Sequence, residues 1–247
     1  MFDGERLMEN IEPSSAESED KTEGEKGEER RGAVGVKSLK KSIRIIFNNP
    51  AMLIPAVLGA VIYISIFLGL FWFYNVGIGD IRELPESELF ILAMMGITIT
   101  FGGVILSFVL NIASLDMARD AYLNRDMNLL KSLKYITKNL GTFLMASLLG
   151  ALLSFVVYLA PLAILILAVL IVDEEGVIDS ILSTFKVIKD RFSPSILIIL
   201  ISIIAFLLID AIPIVGPVLN AMFNVFLGLT FIDLYSDYKL ELKKLWM

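Results

Sequence analysis

The chain has 247 residues, 56% of them hydrophobic, with a mean hydropathy of +0.76 and a formal charge of −6. Soluble domains hold roughly 45–50% apolar residues, so the surplus must face lipid and an ordinary soluble fold is excluded. The absence of Cys and His removes thiol nucleophiles, disulfides, metals or haem held by imidazole or thiolate, and a histidine general base.

The charge is unevenly placed. Residues 1–32 carry eleven acidic and five basic side chains, whereas the remainder carries sixteen of each. The low isoelectric point therefore belongs to one Glu- and Ser-rich stretch, which lacks apolar periodicity and is expected to form a disordered acidic tail. It also lacks the basic start and apolar core of a signal peptide. Once the cations beside the apolar runs are assigned to membrane topology, no basic face remains for nucleic acid.

Residues 33–239 have the pattern of a polytopic transmembrane domain. Val36, Leu39, Ile43 and Ile46-Phe47 recur at helical spacing, with Lys37, Lys40, Lys41 and Arg44 on another face. This predicts a basic amphipathic helix in the headgroup plane. Asn48-Asn49-Pro50 ends it, with Asn49 the expected N-cap of the next helix and Pro50 in its first turn. A first span is expected over 51–74, closed by the aromatic belt Trp72-Phe73-Tyr74. The connection 75–88 holds four acids against Arg82 alone, and is read as extracytoplasmic. A second span over 89–115 projects onward through Asp116, Arg119, Asp120 and Tyr122 before residues 124–128 break it.

The basic segment then returns. Lys131-Ser132-Leu133-Lys134-Tyr135-Ile136-Thr137-Lys138-Asn139 matches Lys41 to Asn49 without a gap, and Ser183 to Arg191 matches both more loosely. Each copy precedes a long apolar run, the signature of an internal repeat. Between the second and third copies, residues 141–172 are too many for one upright span and few for two. Pro161 divides them. As a turn it gives spans over 141–157 and 162–177; as a kink it gives one long tilted helix and five spans in all. The repeat favours the turn, because every basic segment then starts on the same side. The third segment has the periodicity Ile178, Ile181, Phe185, Ile188 and Phe192, and Ser193-Pro194 restarts the chain. Spans over 195–209 and 218–235 flank a turn from Asp210 to Pro217, and residues 240–247 form a cytoplasmic tail. The expected fold class is all-α: an integral membrane six-helix bundle of three repeats, each a basic interfacial helix plus a transmembrane hairpin. By the positive-inside rule it is multi-pass in the cell membrane, with both termini cytoplasmic.

The basic helix ending in Asn-Pro, the first hairpin, the polar extension Ala118-Arg119-Asp120-Ala121-Tyr122 and the final Asp233-Leu234-Tyr235-Ser236-Asp237 carry a resemblance. Over about residues 38–239 the chain resembles the membrane domain attached to some glycerophosphodiester phosphodiesterases. It is also similar to stand-alone YciC-type bacterial membrane proteins and their archaeal counterparts. The resemblance implies a six-helix domain. It does not imply phosphodiesterase activity, which in that family belongs to a separate barrel with essential histidines.

Candidate sites are few. Asn220, Asn224 and Gly228 share one helical face, and Ser107, Asn111 and Ser114 another; polar stripes in lipid must find partners, so both are expected to face the bundle interior as hydrogen-bond glue or as the lining of a ligand site. Asp210 joins Asn111, Asn220 and Asn224 as a candidate ligand contact if it lies at membrane depth, and is otherwise solvated at the outer interface. Asp116 and Asp233 are expected in interfacial ion pairs. Lys40, Lys41, Arg44, Lys131, Lys134, Lys138, Lys186, Lys189 and Arg191 are the expected lipid-headgroup contacts. No cofactor, metal site or catalytic constellation is expected. The functional expectation is a non-enzymatic membrane module that organises lipid or a membrane partner protein. The alternative is a small-molecule or lipid transporter using the asparagine faces.

Overall fold

The computed structural model describes residues 34–73, 85–154, 159–174, 176–213 and 215–245. The acidic tail at 1–32 and most of the 75–88 connection lie outside them. Among the described residues all regular structure is helical: α1 (34–48), a 3-10 turn Pro50–Leu53 leading into α2 (Ile54–Trp72), α3 (Glu86–Tyr122), α4 (Leu129–Lys138), α5 (Leu140–Ser154), α6 (Ala160–Asp173), α7 (Val177–Asp190), α8 (Phe192–Asp210) and α9 (Gly216–Leu245).

Local chemistry sets most boundaries. Asn128 caps α4 by accepting from the Lys131 backbone N–H at 3.2 Å, which satisfies one of the orphan donors of a helix start. Asn124 and Glu174 adopt left-handed φ values of 53° and 56°, stopping α3 and α6 where the chain must turn. Asn49 does not cap the next helix as expected. Its side-chain amide instead donates back to the Ile45 carbonyl at 3.2 Å, closing α1, and Asn139 does the same to Tyr135 at 3.1 Å at the end of α4. The last carbonyls of a helix need donors, whereas a Pro in the following first turn has no N–H to cap. Pro161 sits in the first turn of α6 rather than forming the break itself, the position where a missing N–H costs nothing. α9 continues past Tyr235 to Leu245, so residues 240–245 extend a helix instead of forming a separate tail.

Three antiparallel pairs form the body. α2 runs against α3, with Gly59 beside Ser107 and Ile66 beside Gly103. α5 runs against α6, with Gly150 beside Ala163 and Phe143 clustered with Leu170 and Ile171; the segment around Pro161 is thus a hairpin and not a kinked rod. α8 runs against α9, with Phe206 and Phe223 edge to face at 5.1 Å. The returning helices α3, α6 and α9 meet in the centre, where α6 is almost wholly enclosed through Leu165, Ala168, Val169, Leu170 and Ile171. Asp116, Asp173 and Asp233 mark one end of these helices, called here the charged end; Asp210 lies at the other, the turn end. α1, α4 and α7 all pack at the charged end.

Large apolar side chains such as Phe67, Phe71, Phe101, Ile204 and Leu208 stay exposed along the long helices, the inverse of a soluble core. Among the described residues four segments are long and apolar enough to cross a membrane: Pro50–Trp72, Glu86–Tyr122, Phe192–Asp210 and Gly216–Lys244. These mark a membrane-embedded protein. α5 and α6, with 15 and 14 residues, reach only about 21–23 Å at 1.5 Å per residue.

A Cβ on Gly59 would lie 2.9 Å from the Ser107 carbonyl oxygen, whereas one on Gly102 would meet nothing within 4 Å. Gly59→Leu is therefore expected to force α2 and α3 apart and to lower stability by about 1–3 kcal/mol, while Gly102→Leu leaves it unchanged. Thermal unfolding in detergent checks this, and equal midpoints for the two variants would rule out the α2–α3 register.

Candidate functional site

The asparagine faces come together across the bundle. Asn111 on α3 and Asn220 and Asn224 on α9 line one cleft of about 370 Å³, with Ser147 and Gly150 of α5, Ala160, Ala163, Ile164 and Leu167 of α6, and Phe206 of α8 completing its walls. The Asn111 amide donates to the Ser107 carbonyl at 2.9 Å, and the Asn220 amide donates to Asp210. Those acceptors fix which way each amide points. The opposite atom of each, Asn111 Oδ1 and Asn220 Oδ1, is buried without a protein partner. Ser147 donates its hydroxyl to Phe143 at 2.8 Å, so its oxygen too remains an acceptor. Asp210 is exposed at the end of α8 and touches this group only through Asn220. The predicted face Ser107, Asn111 and Ser114 divides, because Ser114 accepts the Ala56 backbone N–H of α2 at 2.7 Å. Gly228 takes no ligand position; it receives Leu115 of α3.

A second, denser polar group occupies the charged end. Asp116, Asp120 and Arg119 are all buried on the last turns of α3. Arg119 reaches Asp116 at 2.7 Å, Asp120 at 3.6 Å, Glu174 at 3.1 Å and the Ile171 carbonyl at 2.6 Å. Its planar fork is suited to several oxygens at once. Asp120 also takes Lys131 of α4 at 3.5 Å. Asp233 takes Lys41 of α1 at 2.5 Å, and Asp173 takes Lys239 and the Tyr235 hydroxyl. Lys41 also donates to Tyr122 at 3.2 Å. Asp116 and Asp233 are thus ion-paired, and the pairs are buried, their side chains being only 2% and 4% exposed. α1 and α4 cover the ends of α9 and α3 there, and the carboxylates beneath them are buried.

Burial opposes the charge on Lys41, but hydrogen bonds to Asp233 and Tyr122 outweigh it and raise its pKa above 10.5. Burial and the nearby Glu174 carboxylate push the Tyr135 phenol up from 10.0. A raised lysine adds stability that is complete below its unfolded pKa and lost as pH rises through the folded value. The Lys41 clasp is therefore intact throughout the neutral range.

The nine expected headgroup cations divide in two. Lys41 and Lys131 turn to buried carboxylates, and Arg191 pairs with Glu241 of α9. Lys40, Arg44, Lys134, Lys138, Lys186 and Lys189 are exposed on the three charged-end helices. The Arg119 cluster is the feature that sequence reasoning missed. Its signal was present in the spacing: Asp116, Arg119 and Asp120 fall on one face of a helix already predicted to run on through them. Comparison with protein-family models, curated proteins and solved structures finds no match for this chain.

Removing the guanidinium leaves two buried carboxylates without their central counter-charge. Arg119→Met is expected to cost roughly 3–5 kcal/mol, whereas Arg125→Gln, exposed nearby, is expected to be neutral. Unfolding in mixed detergent micelles measures both, and equal stabilities would mean that the Arg119 pairs are not formed.

Proposed function

We propose that the chain is a six-span protein of the cell membrane, built from three copies of one unit, with both termini cytoplasmic and a non-enzymatic role in organising lipid or a membrane partner protein. One observation carries the reading. α1, α4 and α7 bury small polar residues against the bundle, beside Ile136 of α4 and Val187 of α7, and leave several large apolar side chains facing outward. Ser38 and Ser42 of α1, Ser132 of α4, and Ser180 and Thr184 of α7 are all buried. Val36, Ile43 and Phe47, Leu130, and Ile178, Leu182 and Phe185 on the same helices are exposed.

In water that arrangement is unfavourable at about 25 cal/mol per Å² of apolar surface. At the boundary between headgroups and acyl chains it is favourable, because the apolar teeth enter the hydrocarbon while Lys40, Arg44, Lys134, Lys138, Lys186 and Lys189 meet phosphates. The three helices then form a collar in one interface, which places the charged end in the cytoplasm under the positive-inside rule.

The triplication is supported by equivalent positions. Ser42, Ser132 and Thr184 align in the sequence and are all fully buried, and α1, α4 and α7 stop at the aligned Asn49, Asn139 and Arg191. The α5–α6 hairpin is the second of three such units; α6 is enclosed by α3 and α9, whereas Met145, Leu148 and Leu152 of α5 stay exposed.

Replacing Lys40, Arg44, Lys134, Lys138, Lys186 and Lys189 by Gln is expected to remove on the order of 1 kcal/mol of attraction to anionic lipid per site. The anionic fraction of lipid retained on purification should fall while the fold, followed by circular dichroism, is kept. An unchanged lipid profile would sink the collar. Topology has its own test, since the chain has no native Cys: Asp179→Cys and Ser236→Cys should label from one side and Ser87→Cys from the other. Opposite labelling of the first two would replace six spans by five.

A further inference from the structure

The three returning helices enclose a second cavity besides the asparagine cleft. It measures about 220 Å³ at the charged end and is lined by Arg119, Tyr122, Arg125, Glu174 and Ser236 among others. Both cavities lie on α3, α6 and α9, and little separates them. On α3 the last lining residue of the cleft is Leu115 and the first of the pocket is Arg119, four residues or about 6 Å along a helix. On α6 the corresponding pair is Leu167 and Val172, and on α9 it is Val225 and Ile232, separations of about 8 and 10 Å.

The septum has an identifiable plug. A Cβ on Gly228 would lie 2.2 Å from Leu115 Cδ2 and 3.8 Å from Ile164 Cγ2; Leu115 therefore fills the space that a side chain on α9 would take. We propose that the two cavities are the mouths of one solute path along the α3–α6–α9 axis, closed here by Leu115 seated on Gly228.

The cleft chemistry sets the class of solute. Its walls are largely apolar with a few fixed polar groups, the usual make-up of a small-molecule site, and its volume falls within the roughly 300–1,000 Å³ of such sites. The unpartnered atoms are acceptors: Asn111 Oδ1 and Asn220 Oδ1 are buried and unsatisfied. Leaving them so is costly, and a solute bearing O–H or N–H groups relieves that cost. Among the described residues that line the cleft there is no Lys or Arg to meet an anion. The solute is thus small, rich in hydrogen-bond donors and without negative charge. Asn224, which also lines the cleft, adds an amide that can both donate and accept.

The path is independent of the lipid collar, so either can fail alone. In proteoliposomes, Asn224→Cys should react with a small charged thiol reagent only from the turn-end side, and Ser236→Cys only from the charged-end side. Leu115→Ala should make Asn224→Cys reactive from both sides. It should also raise entry of glycerol or methylammonium several-fold over the parent, with acetate entry unchanged, and Asn111→Leu in that background should reverse the gain. Ile164→Ala serves the same purpose should Leu115→Ala not be monodisperse. Entry of glycerol alone or of methylammonium alone supports the path and assigns the solute's charge. Reaction of Asn224→Cys only with a membrane-permeant maleimide would mean that lipid fills the cleft, and the proposal fails. It fails equally if both opened variants are folded and admit no more solute than empty liposomes.

Discussion

A carboxylate at the end of a membrane helix is tolerated out of water only if a cation meets it, and this constraint organises the charged end of the molecule. Asp116 is met by Arg119 on its own helix, Asp120 by Lys131 of α4, Asp173 by Lys239 of α9 and Asp233 by Lys41 of α1. Two of the four cations come from α1 and α4. Each such contact ties a short charged-end helix to one of the returning helices. Isolated surface pairs contribute little, but these acids are buried, and loss of Arg119 or Lys41 would leave Asp116 or Asp233 without its cation.

That tie accounts for how α1 and α4 are seated; the end of α7 is held instead by Tyr238 donating to Asp190 at 2.8 Å and by Arg191 pairing with Glu241. A helix drawn close enough for Lys41 to reach Asp233 must present small residues to the bundle, and Ser38 and Ser42 fill that role. Its bulky apolar residues are then left on the far side. Ser132 beneath α4 and Thr184 beneath α7 repeat the solution. Phe47, Leu130 and Phe185 stay exposed while the hydroxyl residues are covered.

The same inward convergence produces the axis. α3, α6 and α9 pack closely where glycine permits, and Leu115 enters the space over Gly228. Toward the turn end, asparagines replace the close contact and a cleft opens. Toward the charged end, Arg119 gathers the acids of two helices and a smaller pocket remains.

Much of the architecture could be read from the chain itself. The apolar runs, the return of the Lys-Ser and Asn-Pro segments and the 3.6-residue periodicity of Ile178 to Phe192 are properties of local sequence, and they determined the helices, their amphipathic faces and the asparagine stripes. They did so because solvent class and helical period act residue by residue. Tertiary structure alone decided the partners. Asn49 closes the helix behind it rather than opening the one ahead, Ser114 leaves its stripe to hold Ala56, and the pairs of Asp116 and Asp233 are buried. Those outcomes depend on which helix end another segment covers, and residues such as Lys41 and Asp233, 192 positions apart, meet only once the chain has folded three times back on itself.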